Sequence, residues 1–356
     1  MLWFVFTTSR CNLQCTYCGN APTTAMPADL EFTVQDLKKF IDKDPDPTIC
    51  FYGGEPLLNH TFVLEVMAEI PAKFVFQTNG TLIHRLPAAT FDRVDALLVS
   101  LDGRPDITNA RRGKGVFEKV EENVMDVVNR GFAGHLVARM TVHQDSDIFL
   151  DVTSLFSGSI PFQFVHWQLD VQWDTEKDIT HPNFDEWKRS YNEKITQLAD
   201  WFIEEMKEGR FRGVVPFIGV YQSIKRPRRE LLCGVGWNSF SIGTKGQIIG
   251  CPVSWDDRWN QLGHIDTHEP QTVPHVEVGE PCNSCDVREI CTGRCLYANK
   301  TQWWGQEGFD DVCGTIKHLI SEVKRITPMI EEHATEEMLE IMDNWDPCNF
   351  SLETIP

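Results

Sequence analysis

The run Cys11-Asn-Leu-Gln-Cys15-Thr-Tyr-Cys18 gathers three thiols in eight residues, spaced C-x3-C-x2-C. Thiolates are soft ligands that suit zinc and iron–sulfur clusters. A structural zinc site normally takes four protein ligands. Three thiolates can hold three irons of a cubane and leave the fourth iron open. The spacing alone leaves zinc, a cluster and reduced core cysteines as readings. A second array lies far downstream. Cys233 is followed by twelve residues, Gly246, four residues and Cys251, then Cys282-x2-Cys285-x5-Cys291-x3-Cys295 and, after a gap, Cys313. Ten of the twelve cysteines thus fall into spaced sets, which scattered core cysteines would not do. A C-x2-C unit also suits a zinc ribbon, so that reading stands beside a cluster for Cys282 to Cys295.

The elements that must position these residues can be read from the apolar pattern. Short strands are expected at Leu2 to Thr7, Thr48 to Tyr52, Lys73 to Gln77, Ala96 to Ser100, His135 to Val142 and Gln163 to Leu169. Helices are expected at Val34 to Asp44, Phe62 to Ile70 and Val116 to Arg130. Six strands with helices between most of them predict parallel βα units and an α/β fold, a partial (β/α)6 TIM-like barrel. In such folds the working residues sit at the C-terminal ends of the strands. The first cysteines, Gly53-Gly54, Thr78-Asn79-Gly80 and Leu101-Asp102-Gly103 all follow strands. Beyond the barrel, residues 1–175, come a helical bridge over 176–229, a small cysteine-rich domain over 230–315, and a C-terminal helix and tail over 316–356. The region Glu230 to Thr315 looks too loop-rich for a core alone to hold, and cluster ligation would hold it.

Composition narrows the partners. The chain is 42% hydrophobic and 24% charged, with a formal net charge of -19. Its one basic run, Lys225 to Arg229, is short, and the acidic balance argues against nucleic acid and anionic membrane surfaces. The apolar start is about one strand long and lacks the marks of a signal peptide. No window reaches the roughly 18 apolar residues that span a bilayer. A cytoplasmic protein is expected, where disulfides are rare.

The cysteine motif after the first strand, Tyr17 before the third cysteine, and Gly53-Gly54-Glu55-Pro56 after the second strand resemble the radical S-adenosylmethionine superfamily along Leu2 to about Asp170. That resemblance implies a 4Fe–4S cluster on Cys11, Cys15 and Cys18, whose open iron chelates S-adenosylmethionine. Reduction by an external one-electron donor, such as ferredoxin or flavodoxin, would release a 5′-deoxyadenosyl radical. The same resemblance makes Gly53, Gly54 and Glu55 an amino-group site. It also makes Tyr17, Gln77 and Asn79 part of the cofactor pocket, and Ser100 and Asp102 ribose contacts. Arg139 could pair with the methionine carboxylate, although a structural ion pair suits it equally. Leu169 is an adenine contact or an ordinary core leucine.

The later seven cysteines resemble the SPASM pattern of peptide- and protein-maturing members of that superfamily. Carried over, Cys282, Cys285, Cys291 and Cys313 hold a distal auxiliary cluster, while Cys233, Cys251 and Cys295 hold a proximal one, making three 4Fe–4S clusters in all. The fourth proximal iron is open, bound by substrate, or held by Cys50 or Cys348. The sulfatase-maturing members carry an aspartate directly after the cysteine that matches Cys251. Pro252 stands there instead, and Asp256 and Asp257 read as a solvated loop, so formylglycine formation is not expected. The chain most resembles archaeal radical enzymes grouped as peptide-modifying, without their frequent N-terminal peptide-binding module. The expected reaction is hydrogen abstraction from a ribosomally made peptide or protein, giving a crosslink, a thioether or an unsaturation. The alternatives are a radical enzyme acting on a small cofactor precursor, and an electron-transfer or scaffold protein. Trp255, Trp259 and Trp303-Trp304 line a peptide groove or, more simply, pack the cysteine-rich part.

Overall fold

The computed structural model describes residues 1–19, 22–170, 184–302, 305–345 and 355–356. Parallel strands buried on both faces read as near-continuous apolar runs, and the first strands do so. The strands are β1 (Leu2–Thr8), β2 (Thr48–Gly53), β3 (Lys73–Thr78), β4 (Ala96–Ser100), β5 (His135–Val142), β6 (Phe164–Leu169), β7 (Gly213–Val214), β8 (Ser239–Ile242), β9 (Gln247–Ile249) and β10 (Gln261–His264). They form one sheet in the order β10-β9-β8-β1-β2-β3-β4-β5-β6-β7. The six expected strands are β1 to β6, parallel and adjacent in chain order.

The sheet runs on past those six. Strand β7 adds beside β6, and β8 pairs parallel to β1, Leu2 opposite Ser239 and Val5 opposite Ile242. Strands β8, β9 and β10 belong to the cysteine-rich part, so that part is joined to the barrel by backbone hydrogen bonds as well as by any cluster. Their three or four residues each, broken by Gly243, Gly246 and Gly250, were too short for a periodic signal.

The helices are α1 (Val34–Ile41), α2 (His60–Glu69), α3 (Pro105–Arg112), α4 (Val116–Asn129), α5 (Ile148–Ser157), α6 (Phe184–Lys207), α7 (Val215–Lys225), α8 (Arg288–Cys291), α9 (Leu296–Thr301), α10 (Gly305–His333) and α11 (Glu336–Asn344). Helix α1 shows the local logic. Thr33 and Asp36 make a capping box, and Val34, Leu37, Phe40 and Ile41 bury one face. That face meets the sheet where Phe40 stands edge-on to Trp3 at 4.9 Å, with Phe240 of β8 stacked on Trp3 at 5.6 Å. Helix α6 lies in the expected helical bridge. It packs along α10, tied by Lys188 to Asp311 at 2.7 Å and Arg325 to Asp200 at 2.7 Å. The expected C-terminal helix divides into α10 and α11, with Thr335 capping the second.

Strand alternation sorts the side chains onto two faces. Trp3 and Trp167 face the helices, Trp167 donating to Tyr191 of α6 at 2.8 Å. The other face is the barrel interior. Phe4, Cys50 and Val75 share it low in the barrel; Tyr52, Gln77, Ser100, Arg139 and His166 share it toward the C-terminal ends.

Candidate active site

The first cysteine loop leaves the C-terminal end of β1 and is tied down on several sides. Gly54 N–H donates to Thr8 O at 3.1 Å and Glu55 N–H to Arg10 O at 2.9 Å. Gly53 has φ +143°, and a Cβ there would lie 2.1 Å from Thr8 O; one on Gly54 would lie 2.2 Å from Arg10 O. Both glycines therefore let the end of β2 lie against the entry to the loop. From the other side, Thr16 N–H donates to Arg111 O at 3.0 Å, and Cys18 N–H to Cys15 O at 3.1 Å. Cys11 and Cys18 are exposed and Cys15 is half-buried.

Glu55 and Asn79 link this loop to β3. The Glu55 carboxylate is fully buried and accepts from Leu57 N–H at 3.1 Å, Thr78 Oγ1 at 2.8 Å and Asn79 N–H at 2.8 Å. Burial pushes its carboxyl up to about 7 against those three donors. The Asn79 amide then reaches the loop, donating to Asn12 Oδ1 at 2.9 Å and to Cys11 Sγ at 3.8 Å. Thr81 and Asn12 close the network, Asn12 Nδ2 donating to Thr81 Oγ1 at 2.8 Å. Glu55 thus meets the cysteine loop through Asn79.

A second bracket holds Tyr17. Its hydroxyl donates to Asp102 Oδ2 at 2.9 Å. Arg112, the last residue of α3, grips the same carboxylate with Nε at 2.8 Å and Nη2 at 2.7 Å, and Thr141 N–H donates to Oδ1 at 2.9 Å. Each oxygen of the buried Asp102 therefore takes two bonds. Asp102 was expected at the ribose, and the structure commits all its acceptor sites to Arg112, Tyr17 and Thr141. Arg112 also stands 5.5 Å over the Tyr17 ring.

The thiols feel this setting. Burial raises Cys11, Glu55 and Cys18 raising it further, while Leu13 N–H and Asn79 pull it down. Burial also raises Cys15, but the Arg112 guanidinium works the other way. Cys11, Cys15 and Cys18 act on one another electrostatically, so the loop brings all three together. A group that binds thiolates would hold them ionised.

Of the remaining expected contacts, Gln77, next to last in β3, and Ser100, the last residue of β4, are half-buried on the inner face. Ser100 pairs with Arg139 and Arg139 with His166, a polar row across three strands. Sequence reasoning missed His166, which is fully buried in an apolar run and carries no motif. It also missed Arg112, whose Arg111-Arg112 pair reads as an ordinary helix end. Leu169 is corrected: it lies three residues from His166, hence on the helix-facing side with Trp167, as a core leucine. Cys50 is fully buried low on the inner face between Phe4 and Val75, the place of a core residue. Trp255 meets Phe6 edge-on at 6.4 Å and so borders that face. Cys348, Trp303 and Trp304 lie outside the described residues, as do 171–175 at the end of the expected barrel and 176–183 of the expected bridge.

The downstream array forms a separate cavity of about 370 Å³. Cys282, Cys285, Cys291, Cys295 and Cys313 line it, with Arg288 and Arg294. Cys313 comes from α10 and Cys291 from α8, so two elements close on one space. Burial raises Cys291 to about 11 and Cys313 to about 12, the neighbouring thiols adding to the shift of Cys313. Cys233 and Cys251 do not line this cavity. Cys251 follows β9, held by its N–H donating to Asn260 Oδ1 at 2.7 Å. Pro252 follows it, and Asp256 is exposed. Among the described residues, no three His, Cys, Asp or Glu side chains close tightly enough on one metal ion. All-thiol donor sets around a roomy cavity fit an iron–sulfur cluster better than a single zinc.

Known proteins share this arrangement. The Radical SAM superfamily profile matches residues 5–148. The cysteine-type anaerobic sulfatase-maturating enzyme of Clostridium perfringens (strain 13 / Type A) is 24% identical over 337 residues, covering 81% of this chain and 86% of the relative. The AdoMet-dependent heme synthase of Methanosarcina barkeri is 36% identical over 326 residues, covering 80% of this chain and 88% of the relative. The solved structure of native anSMEcpe with bound AdoMet and Cp18Cys peptide shares the fold, with a TM-score of 0.68 at 16% identity over 92% of this chain and 99% of that one. Three clustered thiols on the β1 loop, the Gly53-Gly54-Glu55 clamp, the second cysteine array and these relatives agree, and the chain belongs to the radical S-adenosylmethionine superfamily, within its SPASM-domain subgroup.

Proposed function

We propose that this enzyme modifies a ribosomally made peptide or protein by radical chemistry, forming a crosslink, a thioether or an unsaturation. Membership of the superfamily brings S-adenosylmethionine and a 4Fe–4S cluster, which together supply a 5′-deoxyadenosyl radical. The chain's own work is positioning and water exclusion. Cys11, Cys15 and Cys18 hold the first cluster. Asn79 fixes Cys11, and the Asp102–Arg112 pair fixes Tyr17 and the loop carrying Cys15. Gln77, Ser100, Arg139 and His166 wall the chamber above them. Cys282, Cys285, Cys291 and Cys313 hold a distal auxiliary cluster, and Cys233, Cys251 and Cys295 a proximal one. The proposed parts are the barrel over 1–175, the bridge over 176–229, the auxiliary domain over 230–315 and the C-terminal helix and tail over 316–356. A cytoplasmic ferredoxin or flavodoxin is the proposed electron donor.

The carrying observation is the second thiol-lined cavity on the frame that bears the first cysteine loop. A bound peptide in one relative's structure and a protein-maturating activity in another support the substrate class. A second reading is favoured by the heme synthase relative, which makes a small tetrapyrrole substrate a candidate.

The test is anaerobic reconstitution with iron and sulfide, then turnover with S-adenosylmethionine and a reductant. About twelve irons per chain are expected for three cubanes, against about four for one. Peptides encoded near the gene and a set of tetrapyrroles are offered separately and followed by mass. Loss of two hydrogens from a peptide supports crosslinking or desaturation. A mass change confined to a tetrapyrrole transfers the assignment to the second reading. Absence of S-adenosylmethionine cleavage would leave an electron-transfer protein.

A further inference from the structure

The distal thiol cavity contains a cation that, among the described residues, forms no ion pair with a carboxylate. Arg288, the first residue of α8, is 7% exposed and lines the cavity with Cys282, Cys285, Cys291 and Cys313. Its Nε donates to the neutral amide oxygen of Asn283 at 3.4 Å. Its Nη1 is buried and has no hydrogen-bond partner. Among the described residues no carboxylate forms an ion pair with it, although the Glu230 carboxylate acts on it electrostatically. The other cations of the cavity wall are placed differently. Lys317 pairs with Asp286 at 2.8 Å, and Arg294 donates from Nε to the main-chain oxygen of Pro356, although its Nη1, like that of Arg288, is buried without a hydrogen bond.

A buried guanidinium with an idle N–H is costly, because its lost hydration is not replaced. An anion inside the cavity would offset that cost. Neutral thiols supply none. A 4Fe–4S cluster with four thiolate ligands carries two net negative charges when oxidised and three when reduced, and its sulfurs accept hydrogen bonds. Net charge and hydrogen bonds to sulfur are what set the potential of such clusters. We propose that Arg288 is the counter-cation and N–H···S donor of the distal auxiliary cluster, and that it raises the reduction potential of that cluster. The reduced state holds one more negative charge beside the guanidinium than the oxidised state, so Arg288 stabilises the reduced state more. The reaction is addition of one electron to the cluster, with no bond made or broken.

This assignment rests on the auxiliary-cluster reading, and the experiment separates the two. The full chain carrying Cys11, Cys15 and Cys18 all replaced by alanine is reconstituted, so that only auxiliary clusters remain. It is titrated with dithionite, with the paramagnetic signal of the reduced clusters as the readout. Arg288→Gln is expected to keep the iron content and to lower the reduction equilibrium constant at least tenfold, a shift of about 59 mV to more negative potential. Arg288→Lys, which keeps the charge but not the planar fork, is expected to fall between. An unchanged potential in Arg288→Gln with full iron overturns the assignment. If Arg288→Gln assembles no cluster, Arg288→Lys decides: an assembled cluster supports the counter-charge, and its loss there too overturns it. If replacing Cys282, Cys285, Cys291 and Cys313 together removes no iron, the auxiliary-cluster reading itself fails.

Discussion

Glu55 and Gly54 set the terms of the first site at the scale of single residues. The Glu55 carboxyl titrates at about 7 in the fold and near its ordinary 4.5 when unfolded. Its folded value is raised, so between those values the folded chain binds more protons and Glu55 costs stability as pH rises. A shift of that size corresponds to roughly 3 kcal/mol at most. Urea melts of Glu55→Gln against the parent at pH 5 and pH 8 are expected to move in favour of the variant at the higher pH. A pH-independent difference refutes the buried acid. Gly54→Ala puts a methyl 2.2 Å from Arg10 O and must push the cysteine loop away. It is expected to cost roughly 2–4 kcal/mol and to lower reconstituted iron by about four per chain. Both residues were legible as chemistry in the sequence. Their work was less so: a Gly-Gly reads as approach to a ligand, and here it is also approach of two backbones. That contact joins residues more than forty positions apart, which no local pattern reports.

At the scale of elements, α3 shows why part of the site escaped the sequence. Its eight residues, Pro105 to Arg112, bury only Thr108 and Arg112, so no apolar stripe announces it. Yet it ends on the arginine that holds Asp102, Tyr17 and, by electrostatics, Cys15. Breaking one side of a buried ion pair costs about 3–5 kcal/mol. Arg112→Met is expected to lose about that much in urea unfolding, and Asp102→Asn in the same chain to restore part of it. Costs of the two single variants that simply add in the double variant would show that the pair is not coupled. Helix α1, by contrast, declared itself through its cap and apolar face. Thr33→Ala is expected to cost about 1 kcal/mol in the same melts. The barrel strands were legible because six apolar runs alternate with helical stretches. Strands β7 to β10 were not, because two to four residues carry no period. The alternation rule that located those runs also moves Leu169 to the helix side, a placement that needs the register of β6 to be known.

The whole molecule brings distant cysteines together by folding the chain back on itself. Cys313 sits on α10, which α6 and α7 hold in place, and so completes a cavity begun about thirty residues earlier. Cys313→Ala is expected to remove about four irons per chain, whereas alanine at Cys11, Cys15 and Cys18 removes a different four, and iron analysis of each set checks their independence. Losses that are not additive would mean one shared site. The ten-stranded sheet has a mechanical consequence. Strand β1 carries the first cysteine loop, and its neighbour β8 pairs with β9, which leads directly to Cys251. The first cysteine loop and Cys251 are thus carried by one hydrogen-bonded sheet, two strands apart. Their separation is a constant of the fold, insensitive to whatever substrate enters, and a protease that nicks the chain near Arg228 is expected to leave the two halves bound together. The spacing of these two cysteine-bearing segments is set by hydrogen-bond register, and it is the substrate that must adjust.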